Sequence, residues 1–195
     1  MDIDRLQKIL GTAAACLLLA TATPTEAADP QAAIGIDNFA RVNATYFRGS
    51  QPDRDDYDAL ASLGVKTVIN LIGDEDLDPA ERHEVESRGM RYVHIPMTTH
   101  VPPTADQRAL FLSTVNAADQ QPVYVHCVGG RHRTGVMTAI YRMSHDGLSG
   151  KQAFAEMKRF KYGPTFLHPE FKRFIDGFTP TERTETVAAV ANSGQ

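Results

Sequence analysis

The sequence predicts an α/β fold: a central, mostly parallel sheet flanked by helices. Short apolar and β-branched runs such as "VKTVINLI" and "PVYVH" alternate along the chain with stretches of helical spacing. These runs are apolar almost throughout, as strands covered on both faces are. With 195 residues, 42% of them hydrophobic, the chain is long enough for one domain with a sizeable core.

After a polar stretch to about Ile36, "TYFRGSQPD" gives a short strand at Tyr46 to Arg48. Ser50 then stands where it could cap a helix from about Asp53 to Leu63, which Gly64 ends. "VKTVINLI" is the next strand, and Pro79 opens a helix to about Arg88 before Gly89 stops it. "RYVHIP" is a strand; Thr104 with Gln107 makes a capping-box pattern for a helix to about Ala118. "PVYVH" is the central strand, followed by a helix from Thr134 to about Asp146. Ser149 caps another through Phe160, and "HPEFKRFIDGF" makes a last short one. The domain is thus expected over residues 37–179, and residues 180–195, without a core pattern, form a disordered tail.

The first 27 residues read as a secretory signal: Arg5 and Lys8, an apolar run from Ile9 to Ala22, then small residues around Ala27. The run falls short of the roughly 20 residues of a comfortable span. Retained, it would be an N-terminal membrane anchor. Cys16 lacks the aliphatic residue three positions before it that lipidation wants, since Ala13 stands there. Residues 28–36 are a linker. The protein is therefore expected to be exported, periplasmic or secreted. The formal charge is −4, and a slightly acidic balance argues against a nucleic-acid surface.

Without the first 27 residues only Cys127 remains of the two cysteines, and an exported protein with one unpaired thiol calls for a chemical explanation. The alternative is a buried Cys acting as a small hydrophobe. The stretch "VYVHCVGGRHRTGVMTAIYRM" favours chemistry. Cys127, Val128, Gly129, Gly130, Arg131, His132 and Arg133 form a loop between a strand and a helix, at the carboxyl edge where open α/β sheets hold ligands. Two glycines let successive amides turn inward as an anion nest, and the helix N-terminus adds partial positive charge. Such surroundings favour the thiolate of Cys127, the nucleophilic form. Arg133 offers a planar fork to two oxygens of a tetrahedral dianion. Thr134 can give its hydroxyl to the sulfur, easing departure of the thiolate from a covalent intermediate. The arrangement suits phosphoryl transfer with neither metal nor cofactor.

"HCVGGRHRTG" matches the H-C-x5-R-[ST] signature of cysteine-dependent protein tyrosine and dual-specificity phosphatases. "YFRGSQPD", "LGVKTVINL", "HIPM", "QPVYVHC" and "GVMTAIYRM" likewise resemble segments of compact bacterial dual-specificity-like members, and "GRHRTG" resembles the loop of plant and fungal atypical ones. The resemblance implies the cysteine-phosphatase fold, with a central sheet of four or five strands between helices, and hydrolysis of phosphomonoesters on a phosphorylated protein, peptide or inositol phosphate. It places Cys127, Arg133 and Thr134 as nucleophile, phosphate clamp and sulfur partner, and it implies an Asp general acid on the loop before the nucleophile's strand. Here the chain departs: "IPMTTHVPPTADQ" has Thr98, Thr99 and His100 at that place. His100 is the favoured acid, with Asp106, Asp74 and Asp76 as alternatives.

His126 is read as a structural residue that hydrogen-bonds the loop and tunes the cysteine. Arg131 and His132 are either solvated or extra cations for a substrate with several phosphates; Arg48 either faces the active site or makes a surface ion pair. The seven histidines show no tight metal-ligand spacing in the sequence. Two other functions compete: a pseudophosphatase that binds phospho-ligands, which would have little need of a nucleophile, and rhodanese-type sulfur transfer, which the five-residue spacing and "RTG" fit less well.

Overall fold

The computed structural model describes residues 34–180; the expected signal segment, most of the linker and nearly all of the tail lie outside them. Five strands form one sheet: β1 (Ala40–Asn43), β2 (Tyr46–Ser50), β3 (Thr67–Asn70), β4 (Arg91–His94) and β5 (Val123–Cys127). Their order is β1-β2-β5-β3-β4, with β1 antiparallel to β2 and all other pairings parallel. The most apolar strand, β5, is central, and every one of its residues is buried.

Helices α1 (Asp56–Ser62) and α2 (Glu81–Glu86) cover one face of the sheet. Tyr57, Leu60 and Val85 from these helices pack there with Phe47, Val68 and Tyr124. The other face carries α3 (Ala105–Asn116), α4 (Arg133–His145), α5 (Gly150–Arg159) and α6 (Pro169–Gly177). On that side Phe111, Val136, Met137, Ile140, Met157 and Phe171 enclose Ile69, Val125 and Cys127. Because side chains alternate across a strand, Cys127 and Val125 share one face of β5 while Tyr124 belongs to the opposite core. Among the described residues, no helix is long and apolar enough to cross a membrane.

Both predicted capping boxes form: Thr104 with Gln107 starts α3, and Ser149 with Gln152 starts α5. Ser50 does not cap α1. It is the last residue of β2, it is buried, and its amide donates to the Asp37 carbonyl 2.9 Å away. Pairing of β2 along its whole length with β5, from Tyr46 against Val123 to Ser50 against Cys127, outweighs the local capping signal and delays α1 to Asp56.

Ile69 is fully buried in β3 between the two helical layers. Ile69→Ala is expected to cost about 3 kcal/mol of stability through lost burial and a residual cavity. Urea denaturation checks this; a loss below about 1 kcal/mol would mean that the site collapses around the smaller side chain.

Candidate active site

β5 delivers Cys127 to the carboxyl edge of the sheet, and α4 begins six residues later. Three carbonyls between them are drawn back from the cysteine. The Val128 oxygen accepts from the Gln51 amide at 3.1 Å. Asn38 Nδ2 donates to the Gly130 oxygen at 2.8 Å and lies 3.4 Å from that of Gly129. Arg48 Nη2 also donates to the Gly130 oxygen. In a trans peptide C=O and N–H point in opposite directions, so the amides of residues 129 to 131 are turned away from those donors, and that of Arg131 bonds the sulfur. Gly130 makes the tightest turn, at φ +62°, and a Cβ there would collide with the Gly49 carbonyl and lie 2.7 Å from the Ser50 nitrogen.

Burial of Cys127 by itself would push its thiol up. The hydroxyl and amide of Thr134, the Arg133 guanidinium and the Arg131 amide outweigh burial and hold it below the ordinary thiol value. Thr134 Oγ1 is buried with no well-formed hydrogen bond to a nitrogen or oxygen, which leaves it to the sulfur. His132, at the N-cap of α4, provides no side-chain cap, so the helix keeps free amides for an anion. Arg133 is 5% exposed; its Nη1 donates to the Met97 carbonyl at 3.2 Å, while its Nε has no partner. Loop amides, a thiol held low and a guanidinium with a free edge make an oxyanion cup with a nucleophile at its floor.

His126 is corrected by the structure. Its side chain does not bond the loop but points to the opposite face, where Nε2 lies 2.7 Å from Glu81 Oε1, both residues buried and the contact off the ring N–H axis. Glu81 Oε2 accepts from Asn70 Nδ2 at 2.6 Å, and the Tyr92 hydroxyl is 3.0 Å from the same nitrogen. A buried polar cluster therefore underlies the edge of β3 and β5. Glu81 and Asn70 lacked a signal in the sequence, since each sits in an ordinary helical or strand pattern.

The rest of the mouth is asymmetric. Arg131 is 47% exposed, with Nη2 3.8 Å from Asp37 Oδ2, and Val128 is exposed beside it. His132 Nε2 lies 3.0 Å from the Tyr162 carbonyl, and burial, with His168, Arg131 and Arg133 nearby, lowers its pKa. His100, exposed, stacks on His168, which in turn lies 3.7 Å, centroid to centroid, from the His132 ring. His100, His168 and Glu170 could offer three metal donors within 4.8 Å of one another. The two imidazoles are near parallel, at 21°, so their lone pairs run side by side rather than converging. Asp106 is exposed in the first turn of α3, and Asp74 is 3.7 Å from His94. Across the pocket, Asp53, Asp55 and Asp58 after β2 and Asp74, Glu75, Asp76 and Asp78 after β3 are exposed acids. Sequence reasoning also missed Asn38, whose positive φ of 59° is a conformation Asn tolerates, and His168.

Fold and cup together have the layout of the cysteine-dependent phosphatases. A family model described as a DSP-PTPase phosphatase fused to NAD+ kinase matches residues 31–171, and the chain belongs to this dual-specificity-like family. It is 33% identical over 145 residues to the dual specificity protein phosphatase TpbA of Pseudomonas aeruginosa, covering 73% of this chain and 63% of that one. To the inositol diphosphatase DSP2 of Oryza sativa it is 27% identical over 111 residues, 54% of this chain and 53% of the relative. The chain thus spans less than two thirds of these curated relatives. The fold superposes on the core catalytic domain of the PP-IP phosphatase SIW14 from S. cerevisiae with TM-score 0.65 at 24% identity, covering 76% of this chain and 90% of that one.

The lowered thiol has a direct readout. Iodoacetamide is expected to alkylate Cys127 at pH values where an ordinary thiol has stopped reacting, and Thr134→Ala to move the midpoint upward. An unshifted midpoint in the variant would remove Thr134 from the sulfur. Gly130→Ala is expected to abolish tungstate binding in titration calorimetry, because the added methyl meets backbone that cannot yield; retained affinity would show that the cup is adaptable.

Proposed function

We propose that the chain hydrolyses phosphate monoesters through a phosphocysteine. The observation that carries this is the Cys127 thiol, held below its ordinary range on the floor of the cup despite full burial. Cys127 Sγ attacks phosphorus as the bond to the leaving oxygen breaks. The amides of 129 to 131 and Arg133 hold the phosphoryl oxygens as charge redistributes. His100 gives its proton to the leaving oxygen. Water then attacks phosphorus, the S–P bond breaks, His100 takes the water's proton, and Thr134 stabilises the departing thiolate. His100 is chosen because it is the one titratable side chain of residues 97–104, the segment whose Met97 carbonyl receives Arg133.

The substrate is a phosphorylated protein, peptide or inositol phosphate. The names of the two curated relatives support these classes, and the exposed side chains of Arg131 and His100 offer donors to any further phosphate. His132 serves the loop through Tyr162 instead. The export reading rests on residues 1–27; periplasmic or secreted recovery in fractionation would support it, and recovery in the membrane fraction would mean retention as an anchor.

One observation favours a binding module: residues 97–104 contain no carboxylic acid. Phosphate release from phosphopeptides and inositol polyphosphates decides. Cys127→Ser is expected to lose at least about a thousandfold in turnover while still binding tungstate. No turnover by the wild type with tungstate bound would make the chain a binder. His100→Ala is expected to slow alkyl phosphates about a hundredfold yet leave p-nitrophenyl phosphate, whose leaving group needs no proton, nearly unchanged. Equal loss on both would remove His100 as the acid.

A further inference from the structure

Arg48 is a buried cation, and the buried carboxylate that acts on it, Glu156, makes its ion pairs with Arg142 and Arg159 instead. Arg48 is fully enclosed, and among the described residues it forms no ion pair. Its guanidinium carbon lies 4.0 Å from the Phe160 ring centroid, its Nη2 donates to the Gly130 oxygen, and its Nε has no partner. Removing a guanidinium from water is costly, and one carbonyl and one ring offset only part of that cost. β2 pairs Arg48 with Val125, and alternation puts its side chain on the face of β5 that carries Cys127. The charge that completes the balance is the anion of the cup.

We propose that Arg48 is a positioning residue that acts from beneath the loop. Its bond to the Gly130 carbonyl turns the next amide, that of Arg131, towards the sulfur, and its charge supports the Cys127 thiolate and the bound phosphoryl group from the side opposite Arg133. This rests on the phosphocysteine reading. Asn38 holds the same carbonyl without charge, so the two contributions separate. Burial lowers the Arg48 pKa, and Tyr46, Cys127 and Glu156 act in the opposite direction.

The test uses the whole chain and its Arg48→Gln, Arg48→Lys and Asn38→Ala variants. The readouts are the alkylation midpoint of Cys127, tungstate affinity and a thermal melt. Arg48→Gln retains a donor for Gly130 but no charge. It is expected to raise the midpoint and weaken tungstate about tenfold, the scale of one charge-assisted hydrogen bond. Arg48→Lys, with charge but no fork, falls between it and the wild type, and Asn38→Ala, which loosens the loop without removing a charge, raises the midpoint less than Arg48→Gln does; an equal or larger rise overturns the role of the Arg48 charge. An Arg48→Gln protein that melts cooperatively with wild-type midpoint and affinity overturns the proposal. Should that variant not fold, Arg48→Lys decides: weakened tungstate supports it, and unchanged values overturn it. A wild type with an ordinary thiol and no tungstate binding would overturn the phosphocysteine reading itself.

Discussion

The orientation of three peptide planes governs this protein. The carbonyls of Val128, Gly129 and Gly130 face away from Cys127 because Gln51, Asn38 and Arg48 hold them there. Released, any of these planes could flip its amide away from the sulfur and put a carbonyl dipole in its place, turning an attractive cup into a repulsive one. The donors all come from the stretch between Asn38 and Gln51, which contains β1 and β2. That explains why β2 lies directly beside β5: the strand is both a sheet neighbour and the back wall of the loop. The contact between the two backbones is then a steric requirement on Gly130, whose Cβ would strike the Gly49 carbonyl, while a Cβ on Gly49 itself would strike the Tyr124 hydroxyl.

A second polar system serves the other face. Glu81, His126, Asn70 and Tyr92 lie under the edges of β3 and β5, and the His126 carbonyl accepts from the Leu71 amide at 2.9 Å. Partly satisfied polar groups inside a core raise the energy of misaligned states more than they lower that of the native one. Their position next to the nucleophile suits a strand end that has to stay in register with its neighbours. The two systems divide the work: one orients the loop, the other fixes the strand from which it springs.

Much of this was legible in the chain. The apolar runs of β3 and β5 marked their burial between helical layers, and the capping boxes at Thr104 and Ser149 marked two helix starts within a residue. The cup itself was legible because its parts are contiguous, from Cys127 to Thr134. Parts brought together by folding were not. Asn38, Glu81 and His168 are 89, 46 and 41 positions from Cys127, and each looks locally like a turn, helix or cap residue. Ser50 misled because a capping side chain reads the same whether or not a sheet neighbour claims its backbone. Arg48 sat in a strand pattern whose alternation placed it inward with Tyr46, a hint that charge alone obscured.

The uneven rim acts on a substrate before contact. Acids crowd the loops after β2 and β3, whereas Arg131, His100 and His168 stand on the other flank. On the proposed phosphatase reading, a phosphoryl dianion drifting in would feel a lateral push from the acids as well as the inward pull of the cup. The mouth would then sort approach directions, favouring entry from the side away from the acids. Salt, by thinning these fields within about 10 Å, would blunt the sorting without touching the chemistry beneath.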